Sequence, residues 1–146
     1  MNTTWILVAD SARARLFEAD EAGAFKELGC YTNADARNGT RGQTTDRPPT
    51  VNESVGSARH AIEPHTSARA KAAGSFAREL REMLDHGCSN HRFTRLVLIA
   101  PPRFLGTLHA SFGKQLQDCI VAEFQRDLTK LTPAEIRSQF AVCTLQ

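Results

Sequence analysis

The run Leu96-Val97-Leu98-Ile99-Ala100 constrains this chain more than any other stretch. Its five apolar residues are not interrupted by polar ones. A strand with one wet face alternates, so this one is expected to be covered on both faces, in the middle of a sheet flanked by helices. Pro101 and Pro102 follow it. Neither can donate to a strand ladder, and proline is accommodated at the first position of a helix. Leu105, Leu108 and Phe112 then recur at helical spacing. The pattern predicts a buried strand, a sharp turn and a helix that stops at Gly113. In open α/β sheets, the carboxyl end of such a strand is where ligands bind.

Trp5 to Ala9 is a second uninterrupted run and predicts another buried strand. Asp10-Ser11 is a turn pair, after which Arg13 to Glu18 returns as the second strand of a hairpin. Ala22-Gly23 marks a further turn, and Phe25 to Tyr31 a third strand. Composition then changes. From Asn33 to Pro64 the chain is rich in Asn, Gly, Thr and Pro and nearly devoid of large apolar residues. Such a stretch buries too little surface to offset its ordering entropy. It reads as a flexible loop at about residues 33–65, and a loop of that length within one domain is usually functional or disordered.

Thr66 or Ser67 is expected to cap the next helix, whose apolar face is Ala73, Phe76, Ala77, Leu80 and Leu84 and whose stop is Gly87. Ile120 to Phe124 has the β-branched start of a fifth strand. Thr132-Pro133-Ala134-Glu135 is a capping box that opens a short helix, with Phe140 to Leu145 as an extended tail. Three meandering strands followed by strands joined through helices predict one α/β domain over residues 1–146. Its element order is that of a three-layer ribonuclease H-like fold. The expectation is a mixed five-stranded sheet with helices on both faces and the long loop between strand 3 and helix 1.

Several function classes lose ground on composition. The chain has 146 residues, 41% of them hydrophobic and 23% charged, which suits a globular domain with a real core. No apolar run approaches the roughly 20 residues of a membrane span. Met1-Asn2-Thr3-Thr4 has no positive region and leads straight into a strand, so no signal peptide is expected and the location reads as cytoplasmic. Cys30, Cys88, Cys119 and Cys143 are widely spaced, which argues for reduced thiols rather than a disulfide framework or a zinc site. His60, His65, His86, His91 and His109 show no zinc spacing either. No cofactor-binding motif and no metal site are read from the sequence, and the oligomeric state is not legible in it. A net charge of +2 does not demand a nucleic-acid partner but leaves room for a local basic surface.

Three stretches read together as a family pattern. They are Trp5-Ile6-Leu7-Val8-Ala9-Asp10-Ser11-Ala12-Arg13-Ala14-Arg15-Leu16-Phe17, then Leu96 to Leu108 with its Ala-Pro-Pro-Arg-Phe-Leu-Gly turn, and Glu123 to Thr132 with Asp127-Leu128-Thr129-Lys130. This set resembles the bacterial host attachment protein family, the proteins required for attachment to host cells. That family is similar in turn to the middle domain of the class 1 release factors of archaea and eukaryotes, and of the related ribosome-rescue protein Pelota. The resemblance implies a translation-associated protein that binds the ribosome or tRNA. In the release factors, the loop between the third strand and the first long helix carries Gly-Gly-Gln and helps water cleave peptidyl-tRNA. Here the corresponding place has Thr40-Arg41-Gly42-Gln43-Thr44. Gly42 and Gln43 match and are the implied catalytic pair. Arg41 stands where the first glycine would be, at the cost of its backbone freedom.

The remaining candidates are weighed residue by residue. Arg37, Arg41, Arg47 and Arg59 make the loop modestly basic, suited either to following an RNA backbone or to remaining a solvated loop. Arg47 sits in Asp46-Arg47-Pro48, where it binds an anion or pairs locally with Asp46. Arg13 and Arg15 share one strand face and either extend a basic surface or form the wet face of an edge strand. Arg103 follows the buried strand and either lines its ligand-prone end or packs the helix. Asp10, Glu18, Asp46 and Asp127 are carboxylates of the type a metal-dependent ribonuclease needs, without an assembled set. The two main readings are therefore a release-factor-like peptidyl-tRNA hydrolase and a non-catalytic host-attachment or stress accessory protein. A metal ribonuclease is the third.

Overall fold

A central strand, β1 (Thr3–Ala9), carries the whole sheet. The computed structural model describes residues 2–34 and 62–145, and the side chains of 2–34 and 68–141. β1 pairs antiparallel with β2 (Arg13–Asp20) on one side and parallel with β4 (Arg95–Ala100) on the other. β3 (Phe25–Thr32) extends the sheet antiparallel beyond β2, and β5 (Ile120–Gln125) extends it parallel beyond β4. The order is β3-β2-β1-β4-β5, the mixed five-stranded sheet that the element order predicts. β2 is an inner strand and not the edge allowed for above. The β2–β3 turn needs Gly23, whose φ of 98° is open to glycine and strained for other residues.

The helices cover both faces. α1 (Ile62–Ser89), α2 (Pro102–Ser111) and α3 (Lys114–Cys119) lie on one, and α4 (Pro133–Leu145) on the other. Strand alternation divides the core accordingly. Trp5, Leu7, Ala9, Leu96, Leu98 and Ala100 meet Phe76, Leu80 and Leu84 of α1, Phe104 and Leu108 of α2 and Leu116 of α3. Ile6, Val8, Val97 and Ile99 meet Leu128 and Ile136 on the α4 side. β1 and β4 therefore need apolar residues at every position, which is why their runs do not alternate. Each of the buried Val, Leu, Ile and Phe side chains among them contributes roughly 1.5–3 kcal/mol of transfer free energy.

Strand and helix limits otherwise shift by a residue or two, and the larger departures from the sequence reading lie in the helices. α1 begins at Ile62, ahead of the Thr66 or Ser67 cap, because Pro64 fits the first turn of a helix. It also runs past Gly87 to Ser89. Gly87 is glycine for packing: a Cβ there would stand 2.6 Å from the Trp5 ring. The helix is ended instead by His91, whose φ is 57°, with the His91 and Arg92 N–H groups returning to the carbonyls of Cys88 and Gly87. After α2 the chain forms the extra short helix α3, which has a single buried anchor, Leu116, and so no readable period. The tail from Phe140 is helical rather than extended. The Thr132–Glu135 capping box closes at 2.8 and 3.2 Å, and Ile136 and Phe140 then face the sheet one turn apart.

Candidate functional site

The carboxyl ends of β1, β4 and β5 open into a cleft of about 630 Å³, the size range of small-ligand sites. Asp10 and Ser11 follow β1, Pro101 follows β4 and Asp127 follows β5. Arg69, Ala70 and Ala73 of α1 form one wall, and Arg103, Phe104 and Thr107 of α2 another. The carboxylates thus come from the sheet and the guanidinium groups from the helices. Small residues on α1 leave the space, and Phe104, buried and stacked 6.0 Å from Phe76, fixes the α2 wall against α1.

Each corner is held by its own local chemistry. The Asp10 carboxylate accepts the N–H groups of Ala12 and Arg13, both at 2.8 Å, and so builds the turn into β2. Buried Asn33 donates to the carbonyls of Ser11 and Ala72, tying that turn to α1. Pro101 is extended and caps α2 without a side chain, while its carbonyl accepts the Leu105 N–H at 2.9 Å. The N–H groups of Arg103 and Phe104 therefore belong to the first turn of α2, at the cleft, where they have no partner within the helix. The Arg126 N–H returns to the Ala100 carbonyl at 3.1 Å and aligns the exit of β5 with that of β4.

One buried hydroxyl joins the two carboxylates. Thr129 Oγ1 lies 3.0 Å from Asp10 Oδ2 and 3.0 Å from Asp127 Oδ1. Thr129 is only 2% exposed, whereas Asp10 is half-buried and Asp127 exposed. A hydroxyl carries one hydrogen, and the two carboxylates compete for it. Among the described residues, no group of three or more His, Cys, Asp or Glu is placed to hold a metal ion. Glu18 lies apart from the Asp10–Asp127 pair in its contacts: it accepts the Trp5 indole N–H at 3.1 Å and meets Lys26 at 3.6 Å.

The basic residues fall into two kinds. Arg15 is held on all sides. Its Nε and Nη2 donate to the Glu27 carboxylate at 2.9 and 3.1 Å, and its Nη1 donates to the carbonyls of Thr129 and Leu131. The hydrogen bond that Arg15 donates to Glu27 raises its pKa above the ordinary arginine value, against the opposing effect of burial. Arg13, Arg69 and Arg103 are exposed, and none has a hydrogen-bond or ion-pair partner for its side chain among the described residues. Arg69 and Arg103 line the cleft, and Arg13 begins β2 just beyond the Asp10 turn.

Of the residues singled out by sequence, Gly42, Gln43, Arg37, Arg41, Arg47, Arg59 and Asp46 lie outside the described residues, as does most of the loop expected at about 33–65. Arg103, Asp10 and Asp127 come together in the cleft. Thr129, Thr107 and the role of Arg69 were not visible from spacing. The only signal for Thr129 was its place in the Asp127-Leu128-Thr129-Lys130 segment.

Comparison with known proteins gives the following. A family model described as "Protein required for attachment to host cells" matches residues 5–140. No curated protein matches the chain. The crystal structure of an archaeal translation termination factor is similar, with a TM-score of 0.51 and 8% identity over 98% of this chain and 39% of that one. The chain thus spans about two fifths of that protein's length. The structure of the Aquifex aeolicus Ppx/GppA phosphatase, type II variant, gives a TM-score of 0.37 and 13% identity over 85% of this chain and 35% of that one. The likeness to the termination factor shows a shared α/β fold. Among the described residues, no helix is long and apolar enough to cross a membrane.

Proposed function

We propose that this chain, which belongs to the family of proteins required for attachment to host cells, is a translation-associated protein that binds ribosomal RNA or tRNA through the cleft at the carboxyl ends of β1, β4 and β5. The observation that carries the reading is the pair Arg69 and Arg103, two exposed guanidinium groups that line one cleft without an ionic partner among the described residues. Guanidinium groups match phosphate oxygens in geometry and charge. The N–H groups at the start of α2, which have no partner within that helix, add a weaker attraction for anions at the same place. Arg13, exposed just beyond the Asp10 turn, adds a third guanidinium, so that cations outnumber the two carboxylates Asp10 and Asp127. The fold likeness to a translation termination factor over nearly the whole chain supports the same direction.

In this reading the segment containing Arg37, Arg41, Arg47 and Arg59 follows RNA phosphates, and Gly42-Gln43 acts at the peptidyl-tRNA ester. Gln43 positions the attacking water, and Gly42 allows the close approach. Water adds to the ester carbonyl, the bond to the tRNA oxygen breaks, and that oxygen leaves as a hydroxyl with a proton from the water. Asn33, bonded to Ser11 and Ala72, anchors the chain at the edge of the cleft just before this segment begins.

Co-sedimentation with ribosomes at low and high salt tests the proposal. Association that weakens as salt rises is the expected result, because phosphate contacts release counterions. Absence of association at low salt overturns it. Peptide release by wild-type protein, lost in Gln43→Ala, supports the hydrolytic step. Unchanged release in Gln43→Ala overturns that step and favours the accessory, non-catalytic reading.

A further inference from the structure

The end of α1 and the end of α3 bring two thiols together across 31 positions of sequence. Cys88 stands in the last turn of α1 and Cys119 closes α3, with their Sγ atoms 3.8 Å apart. Both are half-buried and packed against the larger core cluster. A disulfide has an S–S length of about 2.05 Å. Closing the gap needs the sulfurs to move together by about 1.8 Å, at the end of a helix, where backbone restraint is least. Cys30 is exposed on β3, at the opposite edge of the sheet from β5, which Cys119 precedes.

We propose that Cys88 and Cys119 form a peroxide-reactive dithiol, a modification site that closes to an intramolecular disulfide. The Cys88 thiolate attacks one oxygen of a hydroperoxide. An S–O bond forms, the O–O bond breaks, and the leaving oxygen takes a proton to depart as water or an alcohol. Cys119 sulfur then attacks the sulfenic sulfur. The S–S bond forms, the S–O bond breaks, and the departing hydroxide leaves as water with the Cys119 proton. Two thiols and one hydroperoxide thus give one disulfide, one water and one further water or alcohol, with two electrons passing from sulfur to oxygen.

The order of attack follows from the surroundings of Cys119. Burial, the hydrogen bond with Cys88 and the charges of Cys88 and Asp118 push its thiol up to about 11. At neutral pH it is therefore held as the thiol, and the first oxygen falls to Cys88. The ring closed by the disulfide contains β4, α2 and α3, and with them Pro101, Arg103, Phe104 and Thr107 of the cleft. Oxidation stiffens the corner that presents Arg103. This holds whether or not the cleft binds RNA.

The test is treatment of the full chain with hydrogen peroxide, followed by thiol alkylation and non-reducing peptide mapping. The expected product is one Cys88–Cys119 link, reversed by a thiol reductant, with Tm raised by roughly 5–10 °C. Cys119→Ser is expected to leave Cys88 trapped as its sulfenic acid by a dione reagent. A readout on the unmodified sequence stands beside it: once Cys88 carries the oxygen, attack by Cys119 on the sulfenic sulfur accelerates as pH is raised from neutral towards about 11. The proposal is overturned if peroxide leaves both thiols open to alkylation, if the link goes to Cys30 or Cys143, if it joins two chains, or if closure is independent of pH.

Discussion

The two ends of the parallel strands are built from the same core and finished in opposite ways. At the amino end of β1, Trp5 stacks on Phe93 with ring centroids 4.6 Å apart, and Arg92 lies 5.9 Å from the Trp5 ring. Gly87 gives up its side chain so that α1 can close over that indole. At the carboxyl end, the strands run into Asp10-Ser11, Pro101-Pro102 and Arg126-Asp127, and the small face of α1 holds a cleft open. One end is filled with aromatic rings and stabilises the sheet. The other carries charge and has room for a ligand. The chain thus separates what holds the fold from what is available for binding, on the same strands and a few residues apart.

The largest effect is expected where the filled end is emptied. Trp5→Ala removes a side chain that is 4% exposed, together with its bond to Glu18. It is expected to cost about 3–5 kcal/mol, measured as a lower midpoint in urea unfolding. A loss below 1 kcal/mol would break the contrast between the two ends. Next comes Gly87→Ala. The new methyl meets a ring that cannot swing away from Phe93, so about 1–3 kcal/mol is expected. The comparison is sharpened by the double substitution, in which Trp5→Ala makes room for the methyl. Its total loss should fall short of the sum of the two singles.

At the open end, Thr129→Val keeps shape and removes the hydroxyl that meets both Asp10 and Asp127. About 0.5–1.5 kcal/mol of destabilisation is expected, the net worth of one hydrogen bond to acceptors that are half-buried (Asp10) and exposed (Asp127). Equal stability of Thr129→Val and wild type would mean that solvent already serves both carboxylates, and that this end is looser than described.

The sequence made the platform legible and much of the site illegible. Leu96 to Ala100 and Trp5 to Ala9 announced two-sided burial directly, because every position carries an apolar residue. From there, the carboxyl-end location of Arg103 and Asp10 followed by topology. Thr129 could not be placed the same way. Its contact with Asp10 spans 119 positions and depends on how β5 exits, which no local period records. The pairing of Cys88 with Cys119 was hidden for the same reason: it depends on α3, too short to show a pattern. Arg15 shows the limit of parity arguments. Strand alternation put it on a face with Arg13, yet its guanidinium bonds Glu27 and the carbonyls of Thr129 and Leu131, while that of Arg13 is exposed. Gly87 had the right identity for a helix stop, and the close approach of Trp5 accounts for it better.

The central claim is that Arg69 and Arg103 are held for an RNA ligand by a platform that does not need them. Binding of a labelled tRNA, followed by fluorescence anisotropy over a range of salt, tests it in wild type and in Arg69→Ala/Arg103→Ala. Both side chains are exposed, so the substitutions should leave stability within about 0.5 kcal/mol each. The account predicts roughly tenfold weaker binding or more at low salt, and a salt dependence shallower by about one to two counterions. Equal affinity and equal salt dependence in the two proteins, at unchanged Tm, would contradict it.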